Sequence, residues 1–129
     1  MLRIALLVAH AVIELSVAAL MWASPSLFFP HPDAETIALA RSFGVGAGAV
    51  GLLSVLLLRW GRGDAGLVGA LTLAAYQLGI CVSQVLHPMA GVPAWVPPVF
   101  HGAFVVSFLV LAARARREGA PSGAPASRG

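Results

Sequence analysis

The sequence is 129 residues long, with 59% hydrophobic and 10% charged residues and a mean hydropathy of +0.90. A soluble globular domain carries about 25% charged residues, so the composition excludes this class and indicates an integral membrane protein. The net charge of +3 comes from arginines at the ends of apolar runs. Because they form no continuous basic face, the sequence argues against nucleic acid as a partner and indicates the lipid membrane instead.

Four helix-length apolar segments predict an all-α protein with four spans, since one span takes about 20 residues. We expect spans over residues 2–22, 36–58, 65–86 and 99–113, folded as an antiparallel four-helix bundle within residues 1–117. The fourth segment is short for a complete crossing. Residues 118–129, rich in Ala, Pro, Gly and Ser, are predicted to be a disordered tail.

The first segment also has features of a secretory signal peptide, an arginine followed by an apolar run. Glu14 argues against that reading, because a charge in the apolar run weakens signal function. The second segment follows Asp33, which is expected to cap the helix that begins there.

The arginines predict the orientation in the membrane. Seven of the eight would lie on one side, and the two proline-rich loops on the other side contain neither Lys nor Arg. By the positive-inside rule, both termini are predicted to be cytoplasmic, in a multi-pass protein of the inner (plasma) membrane. The seven are Arg3, Arg59, Arg62, Arg114, Arg116, Arg117 and Arg128.

Small residues line one face of the second span. Gly44 and Gly48 stand four residues apart, as do Ala47 and Gly51. This spacing lets another helix backbone approach closely. The partner is either a second copy of the chain, giving a homo-oligomer, or a helix of the same bundle.

Ionisable side chains inside the spans are the main functional signal, because a charge at mid-membrane costs several kcal/mol and needs a partner. His10 and Glu14 stand one helical turn apart on the first span, and Arg41 lies one turn inside the second. Measured from the outer end of each span, Glu14 lies at a depth of about 12 Å and Arg41 at about 8 Å. We therefore expect Glu14 and Arg41 to pair, although such a bridge can also serve only to fix the helix register.

Further polar residues fall in the same outer half of the predicted bundle. Gln77 and Gln84 share one face of the third span, Tyr76 precedes Gln77, and His101 begins the fourth span. Together with Glu14 and Arg41, they would line a polar pocket for an amphipathic small molecule such as a lipid, a quinone or an isoprenoid. The alternatives are that Tyr76 and Gln77 only join helices and that His101 only caps its helix.

Three classes of function follow. The first is a ligand-binding protein or an accessory subunit of a membrane assembly, with Glu14, Arg41, Gln77 and His101 orienting the ligand. The second is an isomerase or cyclase for a lipophilic substrate, in which Glu14 with His10 or His101 transfers protons. The third, haem or metal ligation, is disfavoured because His10 and His101 differ in depth by about 13 Å. No cofactor and no metal site are therefore predicted.

The layout resembles the DoxX-like superfamily of small four-helix membrane proteins. The resemblance rests on Glu14 in the first span, Ser-Pro-Ser-Leu-Phe at residues 24–28, Leu-Ala-Arg-Ser-Phe-Gly at residues 39–44, and His101. The chain differs in having Gln77 where a histidine is expected. The resemblance implies a four-helix fold and a membrane location.

A narrower resemblance links His10 and Glu14 to the His-x-x-x-Glu pattern on a transmembrane helix of the EXPERA group, which includes sterol isomerases and lipid-binding receptors. For that group the pair implies proton transfer to and from a sterol double bond. The chain has no evident second carboxylate within a span.

Overall fold

The computed structural model describes residues 1–87 and 92–119 and is all-α in these parts. The helices are α1 (Leu2–Ala23), α2 (Ala34–Trp60), α3 (Gly63–Leu86) and α4 (Val96–Gly119), with a 3-10 turn at Pro25–Leu27. Each of the four helices is long and apolar enough to cross a membrane. The prediction of a multi-pass membrane protein is therefore confirmed, whereas the single four-helix bundle remains a prediction.

The chain divides into two compact units, Met1–Trp60 and Gly61–Gly129. The first unit is a helical hairpin in which α1 packs along α2 and the 3-10 turn packs against both helices. Asp33 caps α2 as predicted, since its Oδ1 accepts a hydrogen bond of 2.8 Å from the Thr36 N–H. This hairpin is called the first hairpin below.

Small residues allow close packing in the first hairpin. The buried positions of α2 follow each other at three- and four-residue intervals, which places them in one stripe along the helix. Gly44 lies against Trp22, and Gly51 lies against Leu15, so part of the glycine-rich face packs within its own hairpin. A homo-oligomer remains a prediction, but these glycines already have a partner helix. The buried positions are Ala40, Gly44, Ala47, Gly51, Ser54 and Leu57.

The second unit contains the hairpin of α3 and α4, called the second hairpin below. Gly63 begins α3 with a φ of +51°, a left-handed conformation that glycine adopts without steric cost. Phe108 of α4 is fully buried and stacks on Phe104, with 5.9 Å between the ring centres.

Helix α4 contains the predicted fourth span, residues 99–113, and is longer than it at both ends. Helix α4 has 24 residues and is therefore about 36 Å long, sufficient for a hydrocarbon layer of about 30 Å. It begins before Pro97 and Pro98, because the first N–H groups of a helix have no intrahelical partner and proline is tolerated there. It extends to Gly119, beyond the predicted start of the tail. From residue 120 onward, the tail prediction lies outside the described residues.

Candidate functional site

The first hairpin contains a buried group of three polar side chains, which we call the His10 cluster: His10, Glu14 and Ser54. Their exposed fractions are 0%, 5% and 0%. Nδ1 of His10 lies 2.8 Å from the Ser54 hydroxyl oxygen on α2, and Nε2 lies 3.5 Å from Oε1 of Glu14. The cluster therefore joins α1 to α2, and the prediction that His10 and Glu14 share one face is confirmed.

Two proton arrangements leave the His10–Glu14 pair with no net charge, as a membrane interior favours. A protonated imidazole facing a carboxylate would donate from Nδ1 to Ser54, whose own proton can then go to the Val50 carbonyl oxygen, 3.3 Å away. A neutral imidazole facing a protonated Glu14 would accept the carboxyl proton at Nε2, so its own proton is on Nδ1 and is again donated to Ser54. The two arrangements differ only in which partner holds a single proton, so a proton can pass between His10 and Glu14 without changing the net charge of the pair.

The predicted Glu14–Arg41 pair is wrong. The Arg41 guanidinium lies over the Trp22 ring, with 5.7 Å to the ring centre. Glu14 is next to Leu15, which lies against Gly51, ten residues from Arg41 along α2. At 1.5 Å per residue, Arg41 is therefore about 15 Å along the axis from the level of Glu14.

The relative position of the helix ends explains why Arg41 is not beside Glu14. The predicted pair assumes that the outer ends of the first two spans lie at the same level. Because Arg41 is level with Trp22, near the end of α1, the first seven residues of α2 extend about 10 Å past that end. Arg41 consequently lies at the end of α1 rather than beside its middle.

The second hairpin contains a polar contact that sequence analysis only partly anticipates. Gln77 is buried, with 1% of its surface exposed, and its Oε1 lies 2.5 Å from Nδ1 of the half-buried His101. An amide oxygen can only accept, so Nδ1 of His101 carries the proton and donates. Depths counted from the outer ends of the predicted spans place Gln77 at about 15 Å and His101 at about 5 Å, whereas the structure brings the two side chains into direct contact.

Two further residues extend this contact along the line where α3 meets α4. The Cys81 thiol donates to the Pro98 carbonyl oxygen at 3.4 Å. Gln84, the next polar residue of α3 on the same face, is partly buried, and its enclosed Oε1 has no hydrogen-bond partner among residues 1–87 and 92–119. We call the line from Gln77 to Gln84 along α4 the second-hairpin seam. Tyr76 is half-buried beside it.

Sequence analysis missed Ser54, which has no polar neighbour in sequence. The available signal is its position on the small-residue stripe of α2, three residues after Gly51, on the side that must face another helix. It also missed Arg3, whose Nη2 donates to the Leu57 carbonyl oxygen at 2.6 Å. An arginine near a helix end is expected to signal topology, and this one additionally binds a carbonyl in the last turn of α2.

Among residues 1–87 and 92–119, no group of three or more His, Cys, Asp or Glu side chains is arranged to hold a metal ion. No protein-family model, curated protein or solved structure matches this chain.

Proposed function

We propose that this protein binds an amphipathic small molecule, such as a lipid, quinone or isoprenoid, through polar groups buried in its membrane-spanning helices. The observation that carries the proposal is the unpartnered Oε1 of Gln84 on the second-hairpin seam. A buried acceptor without a hydrogen bond costs about 1–3 kcal/mol, and a bound ligand would supply the missing donor. His101 lies on the same seam and has one ring nitrogen available.

In this proposal the residues have distinct roles. His101 and Gln84 contact the ligand, and Gln77 orients the ring of His101 through the bond to Nδ1. Tyr76 contributes to the wall beside them. In the first hairpin, Glu14 and His10 form a pair without net charge, so this hairpin carries its polar groups without an unpaired charge.

The proposal includes an orientation in the membrane. Because the arginines cluster at one side of the predicted spans, we propose that both termini are cytoplasmic and that the protein lies in the inner membrane. Gln84 is then near the outer end of α3, within reach of lipids of the outer leaflet. A resemblance to DoxX-like proteins agrees with this arrangement, as does a role as a small subunit of a larger membrane assembly.

The test is purification in mild detergent, followed by native mass spectrometry and analysis of the extracted lipids. We expect one compound to be retained at about one molecule per chain and to fall at least about ten-fold in His101→Leu. The matched control is Ser107→Ala on the same helix, since the Ser107 hydroxyl is bonded to the Ala103 carbonyl of its own helix. If the retained lipids match the bulk membrane and do not respond to His101→Leu, the proposal is wrong.

A second candidate, an isomerase or cyclase, is favoured by the His10–Glu14 contact of 3.5 Å. A protonated Glu14 would donate its proton to one carbon of a lipophilic alkene, and the neutral imidazole of His10 would remove a proton from a neighbouring carbon. The double bond then moves with no net change in protons.

Incubation with an isoprenoid alkene in D₂O tests this candidate. Deuterium should enter the carbon skeleton with the wild-type protein and not with Glu14→Gln. Equal incorporation by both proteins, or none by the wild type, would exclude proton transfer to that substrate class.

A further inference from the structure

Both unsatisfied groups on the second-hairpin seam are hydrogen-bond acceptors. Oε1 of Gln84 is an amide oxygen, which has no proton to give, and it is without a partner in residues 1–87 and 92–119. His101 donates from Nδ1 to Gln77, so in the neutral ring the proton is on Nδ1 and Nε2 is bare. We call Nε2 of His101 and Oε1 of Gln84 the acceptor pair.

The register of the second hairpin places the acceptor pair along one seam. Gln77 contacts His101, and four residues later Cys81 contacts Pro98, three residues before His101. The backbone of Gln84 is seven residues beyond that of Gln77, a rise of about 10 Å along α3. Each acceptor can take a donor oxygen at about 2.8 Å.

Open space lies beside the α4 backbone next to His101. Gly102 follows it, and a Cβ on Gly102 would meet no atom within 4 Å. A ligand ring can therefore lie next to the backbone at this position without displacing a side chain.

We propose that the ligand is a hydroxylated amphipathic molecule whose two hydroxyl groups donate to His101 and Gln84. A ring with hydroxyl groups at opposite positions, as in a quinol, supplies two such donors. The oxidised quinone has only acceptors at those positions and would face the bare Nε2 and Oε1 without a proton between them. This inference rests on the proposed function and specifies its ligand as a donor.

The experiment compares binding of a long-tailed alkyl hydroquinone, its dimethyl ether and the corresponding benzoquinone to the full chain in detergent, by native mass spectrometry. We expect the hydroquinone to bind at least about ten-fold more tightly than either of the others, since ten-fold corresponds to about 1.4 kcal/mol, the scale of one or two net hydrogen bonds. The dimethyl ether keeps the ring and the tail and lacks only the donors.

Gln84→Met, which keeps the side-chain shape and removes the acceptor, should reduce this preference about three- to ten-fold. Thr72→Val on the same helix is the matched control, because the Thr72 hydroxyl is exposed and bonded to the Val68 carbonyl. Circular dichroism and the melting temperature verify that both variants are folded. His101→Asn is an independent second variant, because the Asn amide N–H can replace the Nδ1 donor to Gln77 while no atom remains at the position of Nε2.

The outcomes separate the two proposals. If the dimethyl ether or the benzoquinone binds as tightly as the hydroquinone, the ligand-binding proposal stands and the donor inference is overturned. If the folded wild-type protein binds none of the three compounds and retains no specific lipid, both are overturned. A preference for the hydroquinone that survives both Gln84→Met and His101→Asn would place the site elsewhere and also overturn the inference.

Discussion

Two double-mutant cycles that share Glu14 test the register of the first hairpin. One combines Glu14→Gln with His10→Asn, and the other combines Glu14→Gln with Arg41→Gln. Each cycle yields a coupling free energy, the part of the double-mutant effect that the two single mutants do not account for. The contact of 3.5 Å between His10 and Glu14 predicts coupling in the first cycle, and the position of Arg41 over Trp22 predicts almost none in the second.

The magnitudes can be worked out from the geometry. Two unit charges 3.5 Å apart attract by about 4.7 kcal/mol at an effective dielectric constant of about 20, and a neutral hydrogen-bonded pair contributes about 1 kcal/mol. Trp22 is eight residues along α1 from Glu14, about 12 Å. Because Arg41 is exposed near the helix end, a dielectric constant of about 80 applies, and the attraction is about 0.35 kcal/mol.

We therefore expect a coupling of about 1–5 kcal/mol between Glu14 and His10 and of less than about 0.5 kcal/mol between Glu14 and Arg41. The assay is reversible unfolding by SDS in mixed micelles, followed by tryptophan fluorescence. If Glu14 couples more strongly to Arg41 than to His10, the register described for α1 and α2 is wrong.

Three further predictions concern stability. Gly51→Ala should lower the free energy of unfolding by about 1–3 kcal/mol, because the new Cβ would lie 2.9 Å from Cγ of Leu15. Gly46→Ala, whose Cβ would meet no atom within 4 Å, should raise the free energy of unfolding by up to about 1 kcal/mol. Equal effects of the two substitutions in SDS titrations would contradict this prediction. Hydrogen bonds from Thr36 hold the pKa of Asp33 below its ordinary value of 3.8, so its stabilising contribution is present above that value and is lost as the pH falls through the lower, folded-state pKa. Melting curves from about pH 5 downward should show this loss in the wild type and not in Asp33→Asn, which keeps an acceptor but does not titrate. Phe108→Ala should cost about 3–5 kcal/mol because the ring is fully buried, and an unfolding midpoint close to that of the wild type would refute its role in the core.

The existence and the approximate ends of the helices could be predicted from the sequence because apolar length alone specifies a span. The cap at Asp33 was also predictable, because an acidic side chain directly before a helix accepts a hydrogen bond from an N–H group of the first turn, whatever the rest of the fold. The start of α4 was not predictable in the same way. Two consecutive prolines are typical of a loop, but Pro97 and Pro98 lie in the first turn of α4, where proline is also tolerated.

The site was less predictable than the fold. The pairing of His10 with Glu14 follows from their four-residue spacing, which any helix enforces. The contact of Ser54 with His10 depends on the register between two helices, and that register is set by which glycines receive which side chains. The register between α1 and α2 also decides the position of Arg41. A comparison of depths measured from the helix ends contains no information on this register and therefore could not predict that Arg41 lies over Trp22.

The bond between His10 and Ser54 joins residues 44 positions apart in the chain. During synthesis, α1 therefore emerges from the ribosome well before the hydroxyl group that its imidazole needs. A lone α1 would expose a histidine and a glutamate to lipid, at a cost of several kcal/mol. We therefore expect α1 to enter the membrane more readily together with α2 than alone.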